Sequence, residues 1–232
     1  KGNKMSQNPG EEFENHVINS CFCFELGPTY FSTAVAEETA ELFDAVSSTM
    51  TEQLTHKGRD DDKDTNEKAF YSVLSEAGDI LWYLYALSLS LPGGKFHAEK
   101  SLNNSEHASP ILISCDLECR DQTSSSLGIA DESYNNHQML DLKDRLISAM
   151  GKLCGSVKKF SRGDQSWEDV FQKRIQRDFD TLLITLDQIL HFLQVFFRPK
   201  MSLSLEDAMK RNINKISQRK LKGTIKGDGE NR

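Results

Sequence analysis

No stretch of this 232-residue chain is apolar for the roughly 18 consecutive residues that a membrane-spanning helix needs. No signal peptide opens it either. The first residue is Lys1 rather than Met, which leaves an upstream targeting segment open; the expected location is the cytoplasm. Positive charge is also short. The formal net charge is −7, so nonspecific binding to nucleic acid or to an anionic membrane, which requires a basic surface, is not expected. There are five cysteines, an odd number: Cys21 and Cys23 as CxC, Cys115 and Cys119 as CxxxC, and Cys154 alone. No second pair follows at zinc-finger spacing, so the thiols read as reduced, with zinc as the alternative. No Glu has a His three residues later, which sets aside a di-iron helical bundle.

What is present is helix. The chain is 38% hydrophobic and 27% charged, ordinary for a globular protein, and long enough for one large domain or two small ones. Apolar spacing near 3.6 residues predicts helices over about 11–26, 31–55, 68–91, 139–160, 166–197 and 204–220. The second should bury Val35, Ala36, Ala40, Leu42, Phe43 and Val46. The third should bury Phe70, Val73, Leu74, Ala77, Leu81, Leu84 and Leu87. In the fourth, Leu142, Leu146, Ile147, Met150, Leu153, Cys154 and Val157 fall at helical spacing. Gly27-Pro28 should stop the first helix and Pro92-Gly93-Gly94 the third. Ser204, with Asp207 three residues on, offers a capping box for the last. Residues 92–137 are rich in Ser and Asn and lose the periodicity, so they read as a flexible linker or insertion. Three regions result: a helical unit over 1–91, the insertion over 92–137, and a second helical unit over 138–232 with a basic, glycine-containing tail. From Lys200 to Arg232 there are nine Lys or Arg against four Asp or Glu. Such a tail suits a small anion such as a phosphate, or is a solvated helix end.

Two carboxylate groupings stand out. "AEETAELFDAV", from Ala36, carries Glu37, Glu38 and Glu41. At spacings of three and four these acids share a helix face and repel by about 0.2–0.5 kcal/mol per pair. "SEAGDILWYLYALS" carries Glu76 and Asp79, again three apart and beside the packed stripe. Two neighbouring helices that each turn such a pair toward one groove would gather four acids. A hard divalent cation relieves that repulsion, and Mg²⁺ keeps waters that substrate phosphates can replace. The alternative is a solvated acidic face.

At these residues the sequence resembles the MazG-like, all-α nucleoside triphosphate pyrophosphohydrolases. "EETAELFDAV" matches their EExxE pattern and "EAGDILWYL" their ExxD helix. "NINKISQRKLKGTIKGDGENR" resembles the tail of many members, N-x-x-K-x-x-x-R followed by a glycine-rich end. The resemblance spans about 29–91 and 139–232 and omits the middle. It implies an all-α, MazG-like helical bundle that cleaves a nucleoside or deoxynucleoside triphosphate between the α and β phosphates, as nucleotide-pool sanitation. Mg²⁺ would be the cofactor, with Mn²⁺ as a substitute. Glu38, Glu41, Glu76 and Asp79 resemble the metal ligands. Glu37 would orient water or support the ligands, so Glu37, Glu38 and Glu41 form the catalytic set; which acid acts as base stays open. Asn212, Lys215 and Arg219, spaced by three and four, resemble the substrate-facing residues of the tail. Tyr83 is the candidate to stack on a base, whereas Trp82 reads as core.

The chain departs from the family pattern after EExxE, where Val46-Ser47-Ser48 stands in place of the common VKK. "VKK" occurs later, as Val157-Lys158-Lys159. Aligning Val157 with Val46 sets Ser148, Ala149 and Lys152 against Glu37, Glu38 and Glu41. Ile184 and Asp187 then fall against Glu76 and Asp79. The reading is a tandem of an intact and a degenerate repeat, an intramolecular pseudo-dimer in which Lys158, Lys159 and Arg162 meet triphosphate oxygens. A homodimer is the other arrangement. The competing functional class is a helical nucleotide-binding or protein-interaction scaffold without catalysis.

Overall fold

In the computed structural model, described here for residues 9–21, 23–55, 63–92, 128–197 and 199–223, all the regular structure is helical. The helices are α1 (Pro9–Ser20), α2 (Gly27–Thr55), α3 (Lys63–Ser90), α4 (Gly128–Ser161), α5 (Asp169–Phe197) and α6 (Leu205–Leu221), with a 3₁₀ turn at Phe24–Leu26. The all-α expectation therefore holds. α2 and α3 form one long hairpin and α4 and α5 a second. α2 lies against α4, α6 lies along α3, and α1 bridges α3 and α6.

The helix boundaries differ from the periodicity reading at several places, and the third helix, for one, starts at Lys63 rather than about 68. The first helix ends at Ser20 rather than continuing to Leu26. Gly27-Pro28 is a start as much as a stop. Gly27 takes φ 75° at the end of the 3₁₀ turn, and Pro28 opens α2, where its missing N–H costs nothing and its fixed φ suits a helix. α4 reaches back to Gly128, ten residues into the segment read as insertion. The rest of that segment, 93–127, including Cys115 and Cys119, lies outside the described residues, as does the glycine-rich terminus after Gly223.

The core is one contiguous cluster drawn from all six helices. Every residue expected in the α3 stripe is buried. In α2, Val35, Leu42, Phe43 and Val46 are buried, but Ala36 is half-buried and Ala40 exposed. In α4, Leu142, Leu146, Leu153 and Val157 are buried, while Ile147 is 42% exposed; the step of about 100° per residue turns it off the face that Leu146 occupies. Thr39 and Thr49 sit inside α2 without orphaned hydroxyls, donating to the carbonyls of Val35 at 2.7 Å and Ala45 at 2.8 Å. Phe13 of α1 meets Tyr85 edge-on at 5.2 Å, and the Trp82 indole N–H donates to Ser20 Oγ at 2.9 Å, so Trp82 is core as expected. Cys154 donates its thiol to the Ser32 carbonyl at 3.2 Å, and Thr29 donates to Ser161 Oγ at 2.8 Å. These two contacts set α2 and α4 antiparallel.

α5 contains a segment, Gln172–Phe197, long and apolar enough to cross a membrane by length and composition, with mean hydropathy 1.2 in its most apolar window. Its apolar side, including Ile175, Phe179, Leu186 and Leu193, is packed into the core. A core helix of a bundle passes the same test, so membrane spanning has only weak support.

α6 is capped as the sequence proposed: Ser204 Oγ accepts from the Asp207 N–H at 3.1 Å. Its approach to α3 depends on Gly78. A Cβ at Gly78 would lie 2.5 Å from the Ala208 carbonyl oxygen and 3.0 Å from Asn212 Cβ. Gly151 and Gly155, inside α4, would place a Cβ in open space. Alanine in a helix interior gains about 1 kcal/mol over glycine, whereas overpacking costs about 1–3 kcal/mol. Gly155→Ala is therefore expected to raise the denaturation midpoint and Gly78→Ala to lower it. Equal shifts of the same sign in both variants would mean that α6 does not pack this closely on α3.

Candidate functional site: a carboxylate cluster between α2 and α3

Glu38 lies on the inner face of α2 and is only 1% exposed. Glu76 and Asp79, both half-buried, face it from α3. One carboxylate oxygen from each of the three falls within 4.8 Å of the other two. The motif spacing explains the convergence. Glu76 and Asp79 are three residues apart and project from one face of α3, and α2 runs antiparallel beside that face.

The third helix at the site is α6. Asn212 Nδ2 donates to Asp79 Oδ1 at 2.7 Å, and the Lys215 ammonium makes an ion pair with Asp79 Oδ2. Lys215 also donates to Ser75 Oγ at 3.3 Å. Asn212 is 1% exposed, and its Oδ1 is buried with no hydrogen-bond partner among the described residues. The missing Cβ at Gly78 lets α6 come near enough for these contacts. Both oxygens of Asp79 are thus engaged by side chains one turn apart on α6.

The donor set fits a hard divalent ion. It is all oxygen, with three carboxylates in reach of a common point, and a cation, the Lys215 ammonium, already rests on one of them. Among the described residues, this cluster is where a metal could be held, and no cysteine belongs to it. Cys21 and Cys23 face each other across 3.8 Å; burial is the main cause that pushes the Cys21 thiol up to about 12.

The other sequence candidates fall around the cluster rather than in it. Glu37 and Glu41 are on the exposed side of α2, so neither joins the three converging oxygens. Arg219 is exposed one turn beyond Lys215. Lys158 and Lys159 are exposed on the last turn of α4, level with the start of α2. By helix rise that is about 13 Å along α2 from Glu38, so the structure does not bring them to the cluster. Arg162 is paired with Asp164 instead. Tyr83, one turn after Asp79 on the same face, is half-buried and stands edge-on to Trp82 at 5.0 Å and to Tyr30 at 6.5 Å. Tyr30, not singled out above as a site residue, is 40% exposed. Its place eight residues before Glu38, two turns along one face, was the available signal.

The second hairpin departs from the expected register. Ser148, Ala149 and Lys152 line one cleft with Arg177, Asp178 and Thr181, and Ile184 and Asp187 are not part of that lining. If Ala149 corresponds to Glu38, the residues across from it correspond to Glu76 and Asp79 only after a shift of six, about 9 Å of helix. The reason is length: α2 runs 17 residues beyond Glu38 to Thr55, whereas α4 runs 12 beyond Ala149 to Ser161. Asp187 sits half-buried elsewhere on α5; burial raises its pKa, and His191 one turn on opposes the shift.

No family model, no curated protein and no solved structure matches this chain.

The Asp79–Lys215 pair is mostly shielded, with side chains 16% and 23% exposed. A double-mutant cycle with Asp79→Asn and Lys215→Met is expected to give a coupling of about 1–2 kcal/mol, between an exposed ion pair and a buried charged hydrogen bond. Chemical denaturation of the four proteins checks it. A coupling indistinguishable from zero would mean that the contact does not hold α6 in place.

Proposed function

We propose that this protein is a Mg²⁺-dependent hydrolase of nucleoside or deoxynucleoside triphosphates, releasing pyrophosphate and a nucleoside monophosphate. The observation that carries the reading is the convergence of Glu38, Glu76 and Asp79, because these are positions of the EExxE and ExxD motifs. Adjacent antiparallel helices bring the two patterns together, and three carboxylates at one point are a donor set that a divalent ion would use. The carboxylates would hold the ion, which supplies neutralisation of phosphate charge.

The chain's own residues account for the remaining work. Glu38, buried on α2, fixes one side of the groove, and Glu76 and Asp79 fix the other. Lys215 and Asn212 keep Asp79 oriented and place a positive charge and an amide next to the acids, where phosphate oxygens would come. Glu37 and Glu41, on the open side of α2, are within one turn of Glu38 and can orient water or accept its proton. Tyr83, half-buried, and Tyr30, 40% exposed, offer aromatic surface along the same helices for a nucleobase. A non-catalytic nucleotide-binding scaffold would share the cluster but not the turnover. MazG-like membership and descent from a tandem repeat belong to this proposal too; the two consecutive helical hairpins are compatible with a repeat.

Pyrophosphate release from a panel of ribo- and deoxyribonucleoside triphosphates, with Mg²⁺ and with EDTA, tests the reading. The expected result is Mg²⁺-dependent release that falls by at least a hundredfold in Glu38→Gln. Release from none of the nucleotides by the folded wild type would remove the enzymatic assignment.

A further inference from the structure

The α4–α5 hairpin contains a cleft of about 560 Å³, within the usual size of small-molecule sites. We propose that this cleft is a second binding site, independent of metal, for a small phosphorylated molecule.

The lining supports an anion. Arg145 and Lys152 enter from α4 and Arg177 from α5, in a chain whose net charge is −7. Arg145, Ser148 and Lys152 are spaced by three and four, so helix geometry puts them in a row on one face. Ser148 contributes a hydroxyl from α4; on the opposite wall the Thr181 hydroxyl donates to the Arg177 carbonyl at 2.8 Å, which leaves its oxygen as an acceptor. Ala149, small and 3% exposed, leaves the room between them. Arginine suits phosphate in particular, because its planar fork can donate two parallel hydrogen bonds to phosphate oxygens.

Two acids also line the cleft, and they define the other end of the ligand. Asp144 is at the exposed rim. Asp178 is 3% exposed, with Arg177 Nη2 at 3.7 Å from its Oδ1. Burial pushes its carboxyl upward, against Arg177, Lys152 and Arg174. A buried carboxyl facing a basic rim fits a ligand that has phosphate at one end and hydroxyl or amino donors at the other. The cleft's size confines it to a small molecule, and the acidic chain disfavours a nucleic acid strand. In the alignment of Val157 with Val46, Ala149 and Lys152 take the positions of Glu38 and Glu41. This inference does not depend on the catalytic reading.

Calorimetric titration of the full chain in EDTA, with inorganic phosphate, pyrophosphate and ribose 5-phosphate as probes, is the test. At least one probe should bind saturably at one per chain. That binding should weaken tenfold or more in Lys152→Ala combined with Arg177→Ala, both exposed positions that leave the core intact, and should be unchanged in Glu38→Gln. A helical circular-dichroism spectrum and an unaltered melting midpoint confirm that the double variant is folded. Absence of saturable binding for all three probes, or equal binding by the folded double variant, would overturn the proposal.

Discussion

The contact of Asp79 with Asn212 and Lys215 couples the packing of this protein to the charge of its groove. α6 can reach α3 only because position 78 lacks a Cβ. Once there, it places an amide and an ammonium on the two oxygens of a carboxylate that would otherwise face Glu38 and Glu76 across a few ångströms. Without α6, three acids would share a largely buried groove with no opposing charge from that side, a costly arrangement. At Asp79 the repulsion written into the acidic helices is therefore answered within the chain, by the Lys215 ammonium.

That partial answer gives the groove its character. Three carboxylates lie in reach of a common point, with the Lys215 ammonium on one of them, and the surrounding helices present a tyrosine pair nearby. The second hairpin follows the same plan of antiparallel helices with an opposite choice of side chains. Arg145, Lys152 and Arg177 line its cleft around the buried Asp178. Two hairpins of similar build thus offer one groove suited to a cation and one suited to an anion.

Much of this was legible in the sequence, for identifiable reasons. The α3 stripe follows a clean helical period, so all seven of its expected residues are buried. Ser204 with Asp207 is a local signal, and the cap forms where that signal stands. The pairing of Glu76 with Asp79 depends only on helix geometry, so their convergence was readable once two helices were assumed adjacent. Features that depend on tertiary distance were less readable. Periodicity gives no measure of how far α4 extends past Ala149, and this length sets Asp178 rather than Asp187 across from it. Glu41 satisfies the motif as well as Glu38 does, but only the rotation of α2 against α3 decides which one turns inward. Gly78 lies inside a quoted motif, and its role became visible only when α6 was seen to cross it. Tyr30 lies just after a glycine-proline break, where the helical phase of α2 could not be fixed from sequence.

The central claim is that Glu38, Glu76 and Asp79 form a cation site. Isothermal titration of the nucleotide-free protein with Mg²⁺, compared with Glu38→Gln and with the exposed-site control Glu37→Gln, tests it most directly. The account predicts one saturable site per chain, lost in Glu38→Gln and kept in Glu37→Gln, with all three proteins equally helical. No saturable binding by the wild type, or equal binding by Glu38→Gln, would contradict it.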